Sequence, residues 1–326
     1  MKSLDVKLAQ IHADPAGARD FILADAKDAD TAFGLAATGL DLATGRPRSL
    51  ADYRDQMREI VRQGLVDIML MSVSTSEVLT MQERLFEHSD VTPAVRANDS
   101  TDIHLIGGGA YGEHPSLPFA TATVSQAVRA GGADLGLYSI TLNNDAALDR
   151  TTLEAYRAFR LEAEPQGLRH FLEVFDPNAP GARRPPDVGR FLNDAIARAL
   201  AGVPRAARPV FLKVPYHGPR AMEELAAYDP HLVPGVLGGS SGTTHDAFFL
   251  LQDARRHGAR AALFGRKINA SEHQLTFVRY LRLIADGDVD AEEAVRAYHA
   301  DLARLGIKPR RQLPDDLQLT ETQHHA

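Results

Sequence analysis

The chain contains no cysteine and no tryptophan, and only six lysines stand against thirty arginines. Without cysteine there are no disulfides, no thiolate catalysis and no Cys-ligated metal, so any nucleophile is Lys, Ser, Thr, Asp, Glu, His or Tyr. No apolar run approaches the roughly 18–20 residues needed to cross a bilayer. The start Met1-Lys2-Ser3-Leu4-Asp5 lacks the apolar stretch of a signal peptide, so a cytoplasmic location and no membrane partner are expected. No long basic block occurs and the net charge is −7. That argues against nucleic acid as a partner, while a local cationic pocket for a small anionic metabolite remains compatible.

What is present is the composition of a globular protein with a large core: 44% hydrophobic and 24% charged residues over 326 positions. Short apolar runs alternate with polar or Gly-rich turns and longer amphipathic segments, the pattern of βα units around a parallel sheet. Eight strands are expected, at Asp20–Asp25, Val66–Ser72, Thr92–Ala97, Asp134–Leu142, Arg169–Phe175, Pro209–Val214, Leu232–Leu237 and Ala261–Phe264. Helices are expected at Ser49–Gln63, Ser76–His88, Phe119–Arg129, Thr151–Glu164, Val188–Ala201, Pro219–Ala227, Thr244–His257, Ala270–Ala285 and Ala291–Leu305. Eight βα units predict an α/β fold, a (β/α)8 TIM barrel, occupying residues 1–326 as one domain with a polar C-terminal tail. Two long connections, at about 100–118 and 176–187, follow the third and fifth strands, on the side where barrel loops cover an active site.

Because arginine supplies most of the positive charge, a lysine set in an apolar run suggests a chemical requirement that guanidinium cannot meet. Lys213, in Pro209-Val210-Phe211-Leu212-Lys213-Val214-Pro215, ends the sixth strand. A desolvated amine there can attack a carbonyl to form an imine. The run Gly238-Gly239-Ser240-Ser241-Gly242-Thr243-Thr244 follows strand seven and opens a helix, where converging N–H groups and a helix N-terminus suit an oxyanion. Gly265-Arg266 after strand eight adds a close backbone approach and a bidentate fork. Barrel enzymes often bind phosphate between these two loops. Asp25, which ends strand one with Lys27 and Asp28 beyond it, and Glu173 within strand five are candidate proton carriers; Arg96, Asn98 and Asp99 close strand three, and Lys27, Arg96 and Lys267 are candidate substrate or anion contacts. Glu173 and Asp25 also read as structural partners for a buried lysine. Tyr138, Asn143 and His217 are weaker candidates, and Asp99, Asp102, His104 and His114 match no closed metal motif, so neither metal nor cofactor is expected.

The order of these parts resembles the class I aldolase group that includes the deoxyribose-phosphate, archaeal-type fructose-bisphosphate and tagatose-bisphosphate aldolases. The resemblance runs from Phe21 to about Leu305 and rests on Lys213, on Gly238–Gly242 and on Gly265-Arg266. It implies a Schiff base on Lys213, phosphate binding by the two Gly-containing loops, acidic roles for Asp25 and Glu173, a phosphorylated sugar as small-molecule partner, and a homo-oligomer. The segment Val95–Asp102 and the loops around Gly107–Gly109 and Pro177–Pro186 depart from the group's pattern.

The leading expectation is a lyase that makes or breaks a C–C bond in a phosphorylated ketose-like sugar. The alternatives are a sugar-phosphate isomerase or epimerase working by carboxylate acid/base chemistry without an imine, and a non-catalytic sugar-phosphate-binding protein.

Overall fold

The computed structural model describes residues 1–41, 44–103, 107–129, 131–179, 184–239 and 242–321. Eight parallel strands form the barrel: β1 (Ile22–Lys27), β2 (Ile68–Met71), β3 (Thr92–Arg96), β4 (Leu135–Thr141), β5 (Arg169–Phe175), β6 (Leu212–Lys213), β7 (Gly235–Leu237) and β8 (Ala261–Phe264). Neighbours follow in sequence order, and β8 returns to β1 with Asp25 in register with Phe264. Closure between β6 and β7 rests on Val214 N–H donating to the Gly235 carbonyl at 2.9 Å and Leu237 N–H donating to the Val214 carbonyl at 3.0 Å. All eight expected strands are present, and the (β/α)8 architecture is as expected.

Strand alternation divides the apolar residues into two cores. Ile22, Ala24, Ile68, Leu70, Leu137 and Phe171 belong to the barrel interior. Leu23, Met69, Tyr138, Leu172 and Phe264 lie in the layer between barrel and helices. A helix at Ser3–Ala13, unforeseen in the sequence, turns Leu4, Leu8 and Ile11 into the interior cluster.

The helices form where apolar spacing and end signals agree. In Leu50–Gln63 the buried residues Tyr53, Met57, Ile60 and Val61 lie on one face. Ser49 and Asp52 make a reciprocal capping box, and Gly64 ends the helix at φ 70°. Three expected helices differ. After β2, Ser72 rather than Ser76 caps the turn, and the helix Val73–Ser76 continues as a π-helical segment, Glu77–Gln82. The segment expected to be helical from Phe119 instead pairs Pro118–Phe119 antiparallel with Asp99–Ser100, leaving only Val124–Ala127 helical. The expected helix from Ala270 is split into Arg266–Ala270 and Gln274–Asp286, because the His273 side chain caps the second piece by accepting from Thr276 N–H.

Candidate active site

Ser139, Glu173 and Lys213 stand on one rung of the barrel: Ser139 is in register with Glu173, and Glu173 with Lys213. Each follows by two residues an interior position, Leu137, Phe171 or Phe211, so all three side chains point inward. Lys213 Nζ lies 2.5 Å from Glu173 Oε1. Ser139 Oγ donates to Glu173 Oε2 at 2.7 Å. Arg96 from β3 completes the network, donating to Asp28 Oδ2 at 2.7 Å and to Ser139 Oγ at 3.1 Å. Its guanidinium also lies 3.7 Å from Glu173 and 3.8 Å from Asp99. Asn98 holds the Ser139 backbone from both sides, accepting its N–H at 2.7 Å and donating to its carbonyl at 2.8 Å.

Every member of this network is buried. Charges removed from water must compensate one another, and here carboxylates and cations alternate from Asp28 through Arg96 and Glu173 to Lys213. Burial works against the Arg96 cation, but Asp28, Glu173 and Asp99 together outweigh it and hold the guanidinium above its ordinary pKa.

The network opens onto a cavity of about 250 Å³ at the C-terminal mouth of the barrel, walled also by Phe33, Asp102 and Phe175. The same cavity is lined by Gly238, Gly239, Gly265 and Arg266 from the ends of β7 and β8. Packing requires two of these glycines. A Cβ on Gly238 would sit 2.1 Å from the Phe264 ring, and one on Gly265 would sit 2.3 Å from the Ala26 carbonyl oxygen. The loops after β7 and β8 therefore approach the barrel more closely than any other residue permits. Arg266 lies over the Phe33 ring, 5.8 Å from its centroid.

The helix N-terminus after β7 is not left for a ligand. Thr243 and Asp246 form a capping box. Thr244 N–H donates to Asp316 Oδ1 at 2.8 Å, and Thr320 brings its N–H and Oγ to Asp246 at 2.8 and 2.6 Å. The C-terminal segment thus supplies the carboxylate that meets the helix's positive end. Gly242 turns away at φ 79°, its carbonyl accepts from Lys267 Nζ at 2.8 Å, and neither residue is on the cavity wall. Ser240 and Ser241, expected anion ligands, lie outside the described residues.

Burial opposes ionisation of Asp246, but hydrogen bonds from Thr320, Thr243 and Glu321 dominate and pull its pKa down to about 2. A carboxylate depressed in the folded state stabilises at pH above its unfolded value, and that contribution is lost as pH falls toward the folded one. Asp246→Asn is therefore expected to cost roughly 2 kcal/mol at neutral pH, a deficit that holds down to about pH 5 and shrinks from about pH 4 downward. Urea unfolding of both proteins across that range checks it, and a deficit independent of pH would remove the ionic explanation.

Asp25 and Lys27 are not brought to the cavity. On β1 the inward positions are Ile22, Ala24 and Ala26, so Asp25 and Lys27 share the outward face under the helices. Lys27 Nζ donates to Gln274 Oε1 at 2.7 Å, lies 5.7 Å from the Tyr53 ring centroid, and is 3.8 Å from Asp25 Oδ2. Burial pushes the Asp25 carboxyl up to about 6 and the Lys27 amine down. The expected catalytic role of Asp25 and ligand role of Lys27 thus find no geometric support. The β1 carboxylate at the cavity is Asp28.

Tyr138 also faces outward, stacked on Phe159 with centroids 4.5 Å apart. Asn143 organises the mouth: its Oδ1 accepts from the N–H groups of Asn178 and Ala179, each at 2.9 Å, and Asn178 Oδ1 accepts from Ser116 N–H at 3.0 Å. The two long loops are joined through these contacts. His217 Nε2 is held by Asp176 at 2.8 Å. Among the described residues no group of three His, Cys, Asp or Glu side chains is arranged to hold a metal, and His104 lies outside them. No helix among them is long and apolar enough to cross a membrane.

No protein-family model matches the sequence, and no curated protein matches it. Among solved structures, an archaeal fructose 1,6-bisphosphate aldolase is similar, with a TM-score of 0.62 and 16% identity over 86% of this chain and 99% of that one. The fructose-bisphosphate aldolase from Slackia heliotrinireducens gives 0.65 and 15% over 92% of both. An archaeal fructose-1,6-bisphosphate aldolase whose catalytic lysine is covalently bound to the carbinolamine intermediate of its substrate gives 0.64 and 16% over 86% of this chain and all (100%) of that one. The resemblance to the class I aldolase group is borne out in the architecture; at these identities the likeness is one of fold.

Proposed function

We propose that this chain is a class I aldolase acting on a phosphorylated ketose-like sugar through an imine on Lys213. The observation that carries the reading is the Lys213–Glu173 contact of 2.5 Å in a cavity also lined by Gly238, Gly239, Gly265 and Arg266. An amine and a proton acceptor are in contact, and the cavity they share has an anion-compatible part to its wall.

Glu173 takes the ammonium proton, and the freed Lys213 amine attacks the substrate ketone to give a carbinolamine. Return of a proton to the carbinolamine hydroxyl lets water leave and forms an iminium. The iminium draws the electron pair of the breaking C–C bond, a base removes the hydroxyl proton of the departing aldehyde, and an enamine remains. Protonation of the enamine carbon and hydrolysis of the imine restore Lys213. Nitrogen carries a positive charge in the ammonium and the iminium and none in the free amine, carbinolamine and enamine; whenever it is neutral the proton resides on Glu173 or on the base, so the net charge beside Arg96 and Asp28 is unchanged. Asp28 takes the cavity position that Asp25 does not reach, and it fixes Arg96 against Glu173. Arg266 and the backbone of Gly238–Gly239 and Gly265 receive the phosphate. The similar archaeal aldolase with its lysine bound to a carbinolamine supports this chemistry on this fold.

The reading is tested by borohydride reduction in the presence of dihydroxyacetone phosphate and a panel of simple ketones and aldehydes, followed by peptide mass mapping. A stable adduct on Lys213 is expected. Turnover of a sugar phosphate with no adduct from any donor would favour an isomerase using Glu173 and Asp28, and binding without turnover would favour a sensor.

A further inference from the structure

A second cavity, of about 370 Å³, lies at the N-terminal end of the barrel, where β5 and β6 begin. Its wall includes Leu168, Arg169 and His170 from the start of β5 and Pro209 and Val210 leading into β6. It is therefore at the far end of the two strands that carry Glu173 and Lys213. The volume falls within the range of small-molecule sites.

The wall is cationic in a chain whose net charge is −7. Four arginines border it, and two are already neutralised: Arg169 by Asp5 at 2.6 Å and Asp134 at 2.7 Å, Arg208 by Asp229 at 2.9 Å. The other two have no carboxylate partner among the described residues. Arg160 lies over the Tyr156 ring, 4.9 Å from its centroid, and its buried Nε–H has no acceptor. Among the described residues Arg205 has only His231 Nδ1 at 3.5 Å, and that imidazole in turn lies 3.2 Å from His12 Nδ1. Glu164 is the one acidic side chain on the wall besides Asp229, and it is exposed on the rim.

Guanidinium forks suit planar or tetrahedral oxyanions, and two facing imidazoles can add donors. Burial first, then His231 and Arg205, push the His12 pKa down, as expected where positive charge exceeds negative. We propose that this cavity binds a compact polyanion, a phosphate ester or a dicarboxylate, through Arg160 and Arg205 with His12 and His231 as further donors. The site is separate from the catalytic cavity and does not depend on the activity assigned to Lys213.

The test is titration calorimetry with inorganic pyrophosphate and with malonate, on full-length protein carrying Arg266→Ala so that the catalytic cavity loses its anion fork. Saturable binding of at least one probe is expected, weakened about tenfold or more by adding Arg205→Gln, the loss corresponding to one charge-assisted contact. Arg160→Gln together with Arg205→Gln should abolish it. Arg205 is exposed on a short turn, so its substitution leaves folding intact. Tighter binding of pyrophosphate would identify a phosphate ester as the ligand class, and tighter binding of malonate a dicarboxylate. Failure of both probes to bind, or binding unchanged by Arg205→Gln, would overturn the proposal.

Discussion

Lys213→Arg should fold normally, lose its borohydride adduct, and lose roughly 10⁴- to 10⁶-fold in kcat/KM, the range seen when a covalent nucleophile is removed. Arginine preserves the positive charge opposite Glu173 Oε1, so the buried carboxylate keeps a counter-ion and the stability change should be small. Guanidinium remains protonated at accessible pH and cannot form the imine, so only the chemistry is withdrawn. Lys213→Met makes the complementary case. It removes nucleophile and counter-ion together and should reduce both activity and melting temperature, because the buried Glu173 then keeps only Arg96 as a cationic neighbour among the described residues. Assays should use whichever donor labels Lys213 in the wild type. Retention of more than about 1% of activity by Lys213→Arg would mean that the nitrogen acts as a charge rather than a nucleophile, and the carboxylate acid/base reading would replace the imine.

The barrel was legible in the sequence because each strand is an apolar run bounded by turn residues and each major helix carries its own end signals. Ser49 with Asp52 and Thr243 with Asp246 are local signals that need no tertiary contact to be read. Lys213 and Glu173 were legible for a related reason: each is a charged residue inside an apolar strand, a pattern that burial makes costly unless the charges meet. What the sequence could not fix was the facing of β1. Phe21, Ile22, Leu23 and Ala24 are apolar on both faces, as in any strand covered on both sides, so alternation is silent there. In the sequence the acidic role therefore falls on Asp25 rather than Asp28, and only the inward packing of Ala24 and Ala26 tells the two apart. Ser139 was passed over beside Tyr138 through the same one-residue ambiguity. The docking of Asp316 on the helix after β7 joins residues 72 positions apart, which no local pattern encodes.

Among the described residues Arg96 is the one cation that touches three carboxylates, and its removal should therefore have the largest effect on folding. Asp28, Asp99 and Glu173 all lie within 3.8 Å of its guanidinium, and all three are buried. Arg96→Met retains comparable bulk but leaves those charges facing an apolar chain. Breaking a buried pair typically costs about 3–5 kcal/mol, a large share of the roughly 5–15 kcal/mol that holds a protein folded. Denaturant melts of both proteins at neutral pH check the loss. Arg96→Lys separates charge from geometry. An ammonium can sit near Asp28 but cannot span to Ser139 and Glu173 with one planar fork, so stability should be largely retained while Glu173 loses its fixed position. The expected signature is a fall in kcat of about 10²-fold, the lower end for misplacing a proton carrier, with the melting curve shifted little. A fall in stability equal to that of Arg96→Met, with kcat per folded molecule unchanged, would make Arg96 a purely structural residue and detach it from the proposed proton path.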